Sequence, residues 1–564
     1  INMDYKYLAE LLFPDVKLTR EEVEAKYPPR TLPEGAKVTR FAPSPTGFIH
    51  LGGLFPSTVS ERLAHQSGGV FYLRIEDTDS KREVDGAAEA LIKTLANFNI
   101  NFDEGAVLGE DGKITSRGDY GPYKQSERRE IYRVYAKWLV EEGKAYPVFS
   151  SAEELEALKN SDKKAEVKNK EWTAEAEAEQ KAEMLKQREF TIEEAEEHLK
   201  KGHPFVLRMM ANGDPDKKIK FSDLIKGNLE IPENDKDEVL LKSDGIPTYH
   251  FAHAVDDHLM GTTHVVRGEE WLPSLSRHIM LFNFLGFKLP KYMHIAQIMH
   301  LDENGNKKKL SKRDMGANVE DYRKMGYTNE CVSEYVMTLL NSNFEEWHTQ
   351  NPDKKVSDFP FSIKKMSTSG CLLDFDKLTD VSKNVLSKLT ADEIFKKTLD
   401  WALEFDPEFA ALLERDSEYA KKIFAIGRGG KKPRKDFSTL ADVKPFIGFF
   451  YDELFAVQDS YDEKFDKCDI KKALDGFKDT FDPSDDMNTW FEKIKAVGES
   501  MGYTSDMKAY KLSPASYRGN VGDISMFIRL AVTGRLNSPD MYAVMQILGK
   551  ERTIGRIDKM LETL

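Results

Sequence analysis

Cysteine is nearly absent: Cys331, Cys371 and Cys468 are scattered through 564 residues. An odd, widely spaced set excludes a disulfide framework and a cysteine-ligated zinc site, and it fits a reducing compartment. Long apolar runs are missing too. No stretch could span a bilayer and no signal peptide opens the chain, so a soluble, cytoplasmic protein with no membrane partner is expected. Net positive charge is also lacking, since 82 Lys and Arg against 96 Asp and Glu leave −14. That balance alone points away from nucleic acid, where phosphates call for cations, although an acidic protein can still present one basic face. The hydrophobic residues, 40% of the chain, are enough for real cores, and the length implies several domains.

The most informative stretch runs from Arg40 to Gly53, RFAPSPTGFIHLGG. A β-leaning run, Lys37 to Phe41, precedes it, and Leu54 to Gln66 reads as a helix ended by Gly68-Gly69. The motif is therefore a strand-to-helix crossing. Its prolines and Gly47 fix a tight loop, while Gly52 and Gly53 let a flat ligand lie against backbone at a helix N-terminus, with His50 at the rim as a donor. Many Rossmann-type folds carry such a turn for structural reasons alone. Pro56 predicts that the helix starts late or bends. Far downstream, Lys309-Leu310-Ser311-Lys312-Arg313 follows a hairpin-like Asp302 to Gly305 and forms a small loop loaded with cations.

Short β runs alternate with helices from Lys37 onward, as a doubly wound parallel sheet requires. Val70 to Ile75 is a buried strand with Arg74, Glu76, Asp77 and Asp79 at its carboxyl end, where ligands of such sheets bind; the bland alternative is a solvated acidic turn. Residues 102–203 interrupt the alternation with a Gly/Asp-rich hairpin, a helix at Arg128 to Glu142, and a Lys/Glu/Ala-rich segment, Ser161 to Glu197, that reads as one or two solvated helices. A strand at Glu238 to Leu241, a turn at Asp244-Gly245 and a return strand at Thr248 to Ala252 resume the pattern. A short helix at Val255 to Met260, a strand at His264 to Arg267, a helix at Leu272 to Leu285 and a last core strand at Met293 to Met299 follow. Beyond Val381 the chain reads as amphipathic helices, with its most concentrated basic run at Gly427 to Lys435.

The two motifs together resemble the HIGH-type and KMSKS-type signatures of class I aminoacyl-tRNA synthetases. RIEDTD at Arg74 to Asp79, GPYKQSERR at Gly121 to Arg129, DGIPTYHFA at Asp244 to Ala252, VVRGEEWL at Val265 to Leu272 and LGKERTIGRI at Leu548 to Ile557 are similar to the bacterial-type glutamyl-tRNA synthetases over nearly the whole chain. The resemblance implies an α/β protein whose Rossmann-type parallel-sheet catalytic domain, residues 35–101 and 204–313, follows a 1–34 extension of unassigned role. It further implies an acceptor-stem-binding insertion at 102–203, a stem-contact module at 314–380 and an all-helical anticodon-binding domain at 381–564.

It also implies the chemistry. Glutamate's α-carboxylate attacks the α-phosphorus of ATP, pyrophosphate leaves, and the terminal ribose of tRNA(Glu) takes the glutamyl group, with tRNA required for activation. No protein nucleophile is called for; the site positions and stabilises charge. By resemblance His50 and Lys312 are catalytic, and Ser44, His50, Gly52, Gly53, Lys309, Ser311 and Lys312 hold ATP. Arg40, Ser44, Glu76, Tyr249 and Arg267 hold glutamate, with Glu76 on the α-ammonium, and Arg428, Lys431, Arg434 and Lys435 are tRNA contacts. Mg²⁺ accompanies ATP. No zinc is expected, because Tyr146 to Ser150 contains no cysteine where some relatives carry a Cys-x-Cys knuckle. His253 stands where relatives often have Asn, which predicts an altered pocket surround. A monomer is the family default. The alternatives are a glutaminyl enzyme, which the APSPTG and KLSKR wording disfavours, and an inactive tRNA-binding paralogue, which would be expected to lack His50 or Lys312.

Overall fold

The computed structural model describes residues 2–161 and 173–564. Its backbone divides into two compact units, Ile1–Glu320 with Val336–Leu373, and Asp321–Tyr335 with Asp374–Leu564.

The first unit opens with α1 (Tyr5–Leu12) and α2 (Arg20–Ala25), capped by the side chains of Asp4 and Thr19. Then come β1 (Val38–Phe41), α3 (Leu51–Gln66), β2 (Val70–Leu73), α4 (Ala87–Asn97), β3 (Glu104–Leu108) and β4 (Ile114–Arg117). β1, β2 and β3 pair in parallel and β4 returns antiparallel, so the hairpin expected at the start of an insertion instead completes this sheet. α3 begins at Leu51, ahead of the expected Leu54, and keeps Pro56 inside it. The proline ring would press on the carbonyl four residues back, and that residue is Gly52, which adds no side chain of its own to the crowding.

α5 (Arg129–Glu141) leads to β5 (Ala145–Phe149), and α6 (Ala152–Ser161), α7 (Ala174–Gln187) and α8 (Ile192–Lys200) follow. Part of the Lys/Glu/Ala-rich segment expected to be helical, residues 162–172, lies outside the described residues. α7 buries none of its side chains, as its composition predicts. β6 (Phe205–Met209) pairs antiparallel with β5 and with β9 (Val239–Leu241), while β7 (Lys218–Asp223) and β8 (Gly227–Pro232) form a separate hairpin. The boundary expected at residue 203 therefore cuts through one small sheet.

α9 occupies Tyr249–Leu259, which corrects the expected return strand at Thr248 to Ala252. Pro247 bridges to Leu241, and from Tyr249 the chain turns into a helix buried nearly all round, with Phe251 through Asp257 all buried. β10 (His264–Gly268) and β11 (Lys291–Ile295) form a parallel pair on either side of α10 (Leu275–Leu285). The strand expected from Met293 to Met299 is two strands: after β11 the chain breaks at Ala296-Gln297, and β12 (Ile298–Leu301) joins β13 (Lys307–Lys309) and β14 (Cys371–Leu372) in another sheet.

The two parallel halves meet where Thr263 N donates to Val38 O at 3.0 Å and Val38 N to Thr263 Oγ1 at 2.9 Å. This is a switch point, beyond whose strand ends ligands of open α/β sheets bind. The N-terminal segment is welded to this unit. Leu8, Leu12, Phe13 and Val23 share a core with Tyr132, Tyr135 and Leu139 of α5 and Phe251 of α9. Each such leucine contributes about 1.5–3 kcal/mol of burial. Arg30 grips Glu104 with two bonds of 2.8 and 2.9 Å.

The second unit is helical apart from a two-residue strand pair, Tyr503–Thr504 with Gly519–Asn520. Most of its helices open on an Asp, Thr or Asn cap, among them Asp374, Thr390, Asp406, Asp486 and Asn520, and their apolar faces converge on Ile394, Phe409, Phe477, Phe527 and Val544.

Candidate active site

The two motifs are joined through backbone. Leu51 N donates to Ala317 O at 2.8 Å and Val319 N to Ile49 O at 3.1 Å, with His50 bridged to Asn318, so the segment after the basic loop lies along the entry to α3. Between them opens a cavity of about 680 Å³ lined by His50, Gly52, Gly53, Lys309, Ser311 and Lys312. A Cβ on Gly52 would project into open space, and one on Gly53 would only touch the Phe41 ring at 3.6 Å. These glycines therefore keep the cavity wall flat, and neither serves an unusual backbone angle. The loop itself is held at both ends: Leu310 N donates to Ile298 O, and Ser311 N to the Asp314 carboxylate at 2.6 Å. Lys309, Lys312 and Arg313 stay exposed. Ser44 does not line this cavity; it sits exposed in the preceding loop.

On the other side of Gly268, which also lines the cavity, a buried network gathers the remaining candidates. Arg40, 5% exposed on β1, donates through Nε and Nη2 to Asp257 at 2.9 and 3.1 Å, and Arg74 adds Nη1 at 3.1 Å. Burial pushes the Asp257 carboxyl up, but Arg40 and Arg74 outweigh it and hold the group well below the usual carboxylate range. Neighbouring Asp256 accepts from Arg128, Tyr132 and Gln125. Of the acidic turn after β2, Asp77 is spent on Ser126 and Asp79 is exposed. Glu76 stays within 3.5 Å of Arg74, and burial raises its carboxyl to about 7 against the pull of Arg74 and Arg40.

Tyr249, the first residue of α9, stacks on Trp271 at 4.2 Å and on His253 at 5.6 Å. His253 pairs with Asp257 through one ring nitrogen and with Tyr292 Oη at 2.8 Å through the other; burial, with Arg267 and Arg40 adding, lowers it to about 3. Arg267, 5% exposed on β10, pairs with neither Glu269 nor Glu270. Its Nε donates to His294 and its Nη1 to His278, each at 3.0 Å, and its guanidinium lies 4.6 Å from the Tyr292 ring centre. Arg40, Glu76, Tyr249 and Arg267 are thus linked through Asp257, Arg74, His253 and Tyr292, while Ser44 stands apart.

A model of the class I tRNA synthetase (E and Q) catalytic domain matches residues 37–354, and an anticodon-binding-domain model matches residues 516–561. The glutamate–tRNA ligase of Acetivibrio thermocellus is 49% identical over 99% of this chain and its own full length, and that of Clostridium perfringens strain SM101 is 44% identical over the same shares. The chain belongs to the glutamate–tRNA ligase family. A crystal structure of the Elizabethkingia meningosepticum glutamate–tRNA ligase in complex with its amino acid superposes with a TM-score of 0.68 at 28% identity, covering 94% of this chain and 99% of that one.

Within this member of the family, sequence reasoning overlooked Asp256, Asp257, His278 and His294. Adjacent acids on a helix that otherwise buries Phe251, Ala254 and Val255 were the available signal for the first two, and a polar residue inside the apolar run Tyr292-Met293-His294-Ile295 for the last. In the second unit the basic run is a loop whose members differ. Arg428 turns inward, donating to the carbonyls of Phe424, Leu386 and Leu389, and so acts as a clasp between helix ends. Lys431, Arg434 and Lys435 are exposed, with Arg434 also on Asp436. Among the described residues no group of three or more His, Cys, Asp or Glu is arranged for a metal, and no helix is long and apolar enough to cross a membrane.

Proposed function

We propose a division of labour among these residues for the reaction that gives the family its name. The chain attaches L-glutamate to tRNA at the expense of ATP, and with relatives of 44–49% identity over full length all named glutamate–tRNA ligases, the glutaminyl alternative is set aside. The observation that carries the assignment is the single cavity uniting His50, Gly52 and Gly53 with Lys309, Ser311 and Lys312 next to the Arg40–Arg267 network.

ATP, with Mg²⁺ on its phosphates, lies against Gly52 and Gly53. His50 donates to a phosphate oxygen, and Lys312, helped by Lys309, neutralises the departing pyrophosphate. Arg267 takes the substrate's side-chain carboxylate, Tyr249 supplies a hydroxyl, and Glu76 meets the α-ammonium. Arg40, already engaged with Asp257, contributes positive field and orientation. Lys431, Arg434 and Lys435 are proposed as tRNA contacts. ATP–pyrophosphate exchange tests the reading. Exchange is expected with glutamate and tRNA together, and at least about a thousandfold less with glutamine, because an amide leaves a buried arginine poorly matched. Equal exchange with both amino acids would sink the pocket assignment.

Glu76 gives a pH signature. Its carboxyl is largely protonated in the free protein below about 7, whereas the ammonium requires it ionised, so binding releases a proton on the acid side. KM for glutamate is expected to rise roughly tenfold per pH unit as pH falls below about 7, and to level off above it. Glu76→Gln is expected to raise KM and flatten the profile. A flat wild-type profile between pH 5.5 and 8.5 would remove Glu76 from the ammonium.

A further inference from the structure

We infer that His278 and His294 are positioning residues which, as neutral imidazoles, hold the Arg267 guanidinium through Nε and one Nη1 N–H so that its Nη2 side is set for the substrate's side-chain carboxylate. This role of the two histidines rests on the placement of Arg267 against the substrate's side-chain carboxylate proposed above. Arginine has donors only, so both ring nitrogens that face it must be unprotonated acceptors. That requirement fixes the tautomers. His294 accepts from Arg267 Nε on Nε2 and therefore carries its proton on Nδ1, which donates to Asp223 Oδ2 at 2.5 Å. His278 accepts from Arg267 Nη1 on Nδ1, carries its proton on Nε2, and donates it to His250 Nδ1 at 2.7 Å.

Both relays end on anchored groups. Asp223 also accepts from the backbone of Ile225 and Lys226, at 2.9 and 2.8 Å, and His250 faces Glu238 at 3.7 Å. The third guanidinium nitrogen, Arg267 Nη2, is buried and meets no hydrogen-bond partner among the described residues. An orphaned buried donor on a charged group is costly, so a ligand that accepts from it is strongly favoured. A carboxylate accepts there through either of two charged oxygens, whereas a carboxamide has one neutral oxygen to offer and must keep its NH₂ turned away from every guanidinium N–H. Because the two histidines hold Nε and one Nη1 N–H, the guanidinium cannot turn to adapt to the amide's single acceptor. The neutral clamp thus makes the preference for a carboxylate a matter of geometry as well as charge.

The test is steady-state exchange on the full chain with tRNA, in four variants. His278→Leu, which keeps volume but removes the acceptor, is expected to raise KM for glutamate at least tenfold while KM for ATP and kcat at saturating glutamate stay within threefold. The ratio of kcat/KM for glutamate over glutamine is expected to fall about as much. His278→Gln, whose Oε1 can accept from Arg267 while its NH₂ donates to His250, is expected to restore glutamate KM to within threefold. His250→Phe, at a half-buried position where folding is at less risk, removes the group that fixes the His278 tautomer and is expected to give the same selective rise at about threefold. Arg267→Lys separates the two layers: no change in glutamate KM would overturn the reading of Arg267 itself. A large change there, with His278→Leu altering glutamate and ATP KM alike, with no rescue by Gln, or with His250→Phe silent, would overturn the clamp alone.

Discussion

Lys312→Ala is expected to lower glutamate-dependent ATP–pyrophosphate exchange about a hundred- to a thousandfold, the usual cost of removing one charge-stabilising donor from a transition state. The loss belongs in kcat. Lys312 is exposed at the cavity wall, and no ion pair ties it among the described residues, so the substitution removes nothing the fold depends on. Exposed sites of this sort change stability by no more than about 0.5 kcal/mol, and thermal unfolding of the variant should coincide with the parent. KM for glutamate should also be nearly unchanged, because Arg267 and Glu76 act on the amino acid whereas Lys312 acts on the phosphates of ATP. Unaltered exchange, or a loss that appears only in glutamate KM, would remove Lys312 from pyrophosphate. Arginine in its place restores charge but not shape, so Lys312→Arg should recover only part of the rate.

Asp257→Ala is expected to destabilise the first unit by about 3–5 kcal/mol, the range for breaking a buried ion pair from one side. Asp257 accepts from Arg40, Arg74, Thr262 and Tyr72, and its removal takes the carboxylate from the buried Arg40 and leaves Arg74 only the longer contacts to Glu76 and Asp256, at 3.5 and 3.9 Å. Denaturant unfolding measures this as a fall in midpoint. The sign of the pH dependence follows from the depressed carboxyl. A folded-state value below the unfolded one contributes stability that is complete above the unfolded value and is lost only as pH falls through the folded one. The Asp257 contribution is therefore intact at neutral pH and persists into acid beyond the ordinary carboxylate range, while Asp257→Asn should lack it throughout. A variant as stable as the parent at pH 7 would show that Arg40 and Arg74 find other partners.

The cavity proposed for ATP was legible because its residues are contiguous in two short motifs: once Arg40 to Gly53 and Lys309 to Arg313 are recognised, six candidates fall into it. The side proposed for glutamate was legible only for residues inside contiguous motifs. Arg40, Glu76, Tyr249 and Arg267, the residues proposed for glutamate, do share a network, yet what holds them was not legible, since Asp257 lies 217 residues from Arg40 and His294 lies 27 from Arg267, with no spacing rule to connect them. Ser44 shows the reverse case, a motif residue that is exposed in its loop and lines no part of the cavity. In the helical unit, the charge run from Arg428 to Lys435 could not reveal which side chain would turn back onto helix-end carbonyls. The strand expected at Thr248 to Ala252 failed because a short apolar–aromatic run suits either period, and the buried acids at 256 and 257 decide for the helix only when their partners are seen.

The joint between Val38 and Thr263 spans 225 residues of chain. On a ribosome adding about 5–20 residues per second, β1 therefore waits roughly ten to forty-five seconds before its second neighbour has been made. During that interval it is the open margin of a half-built sheet, the kind of surface that recruits strands from other nascent chains. Val38, Thr39, Arg40 and Phe41 form that margin, and an unpaired charge in the middle of such a strand opposes docking by a foreign one. The arginine that later faces Asp257 is thus expected to guard solubility during synthesis, so that a neutral residue at position 40 would lower the yield of soluble protein by a route separate from substrate binding.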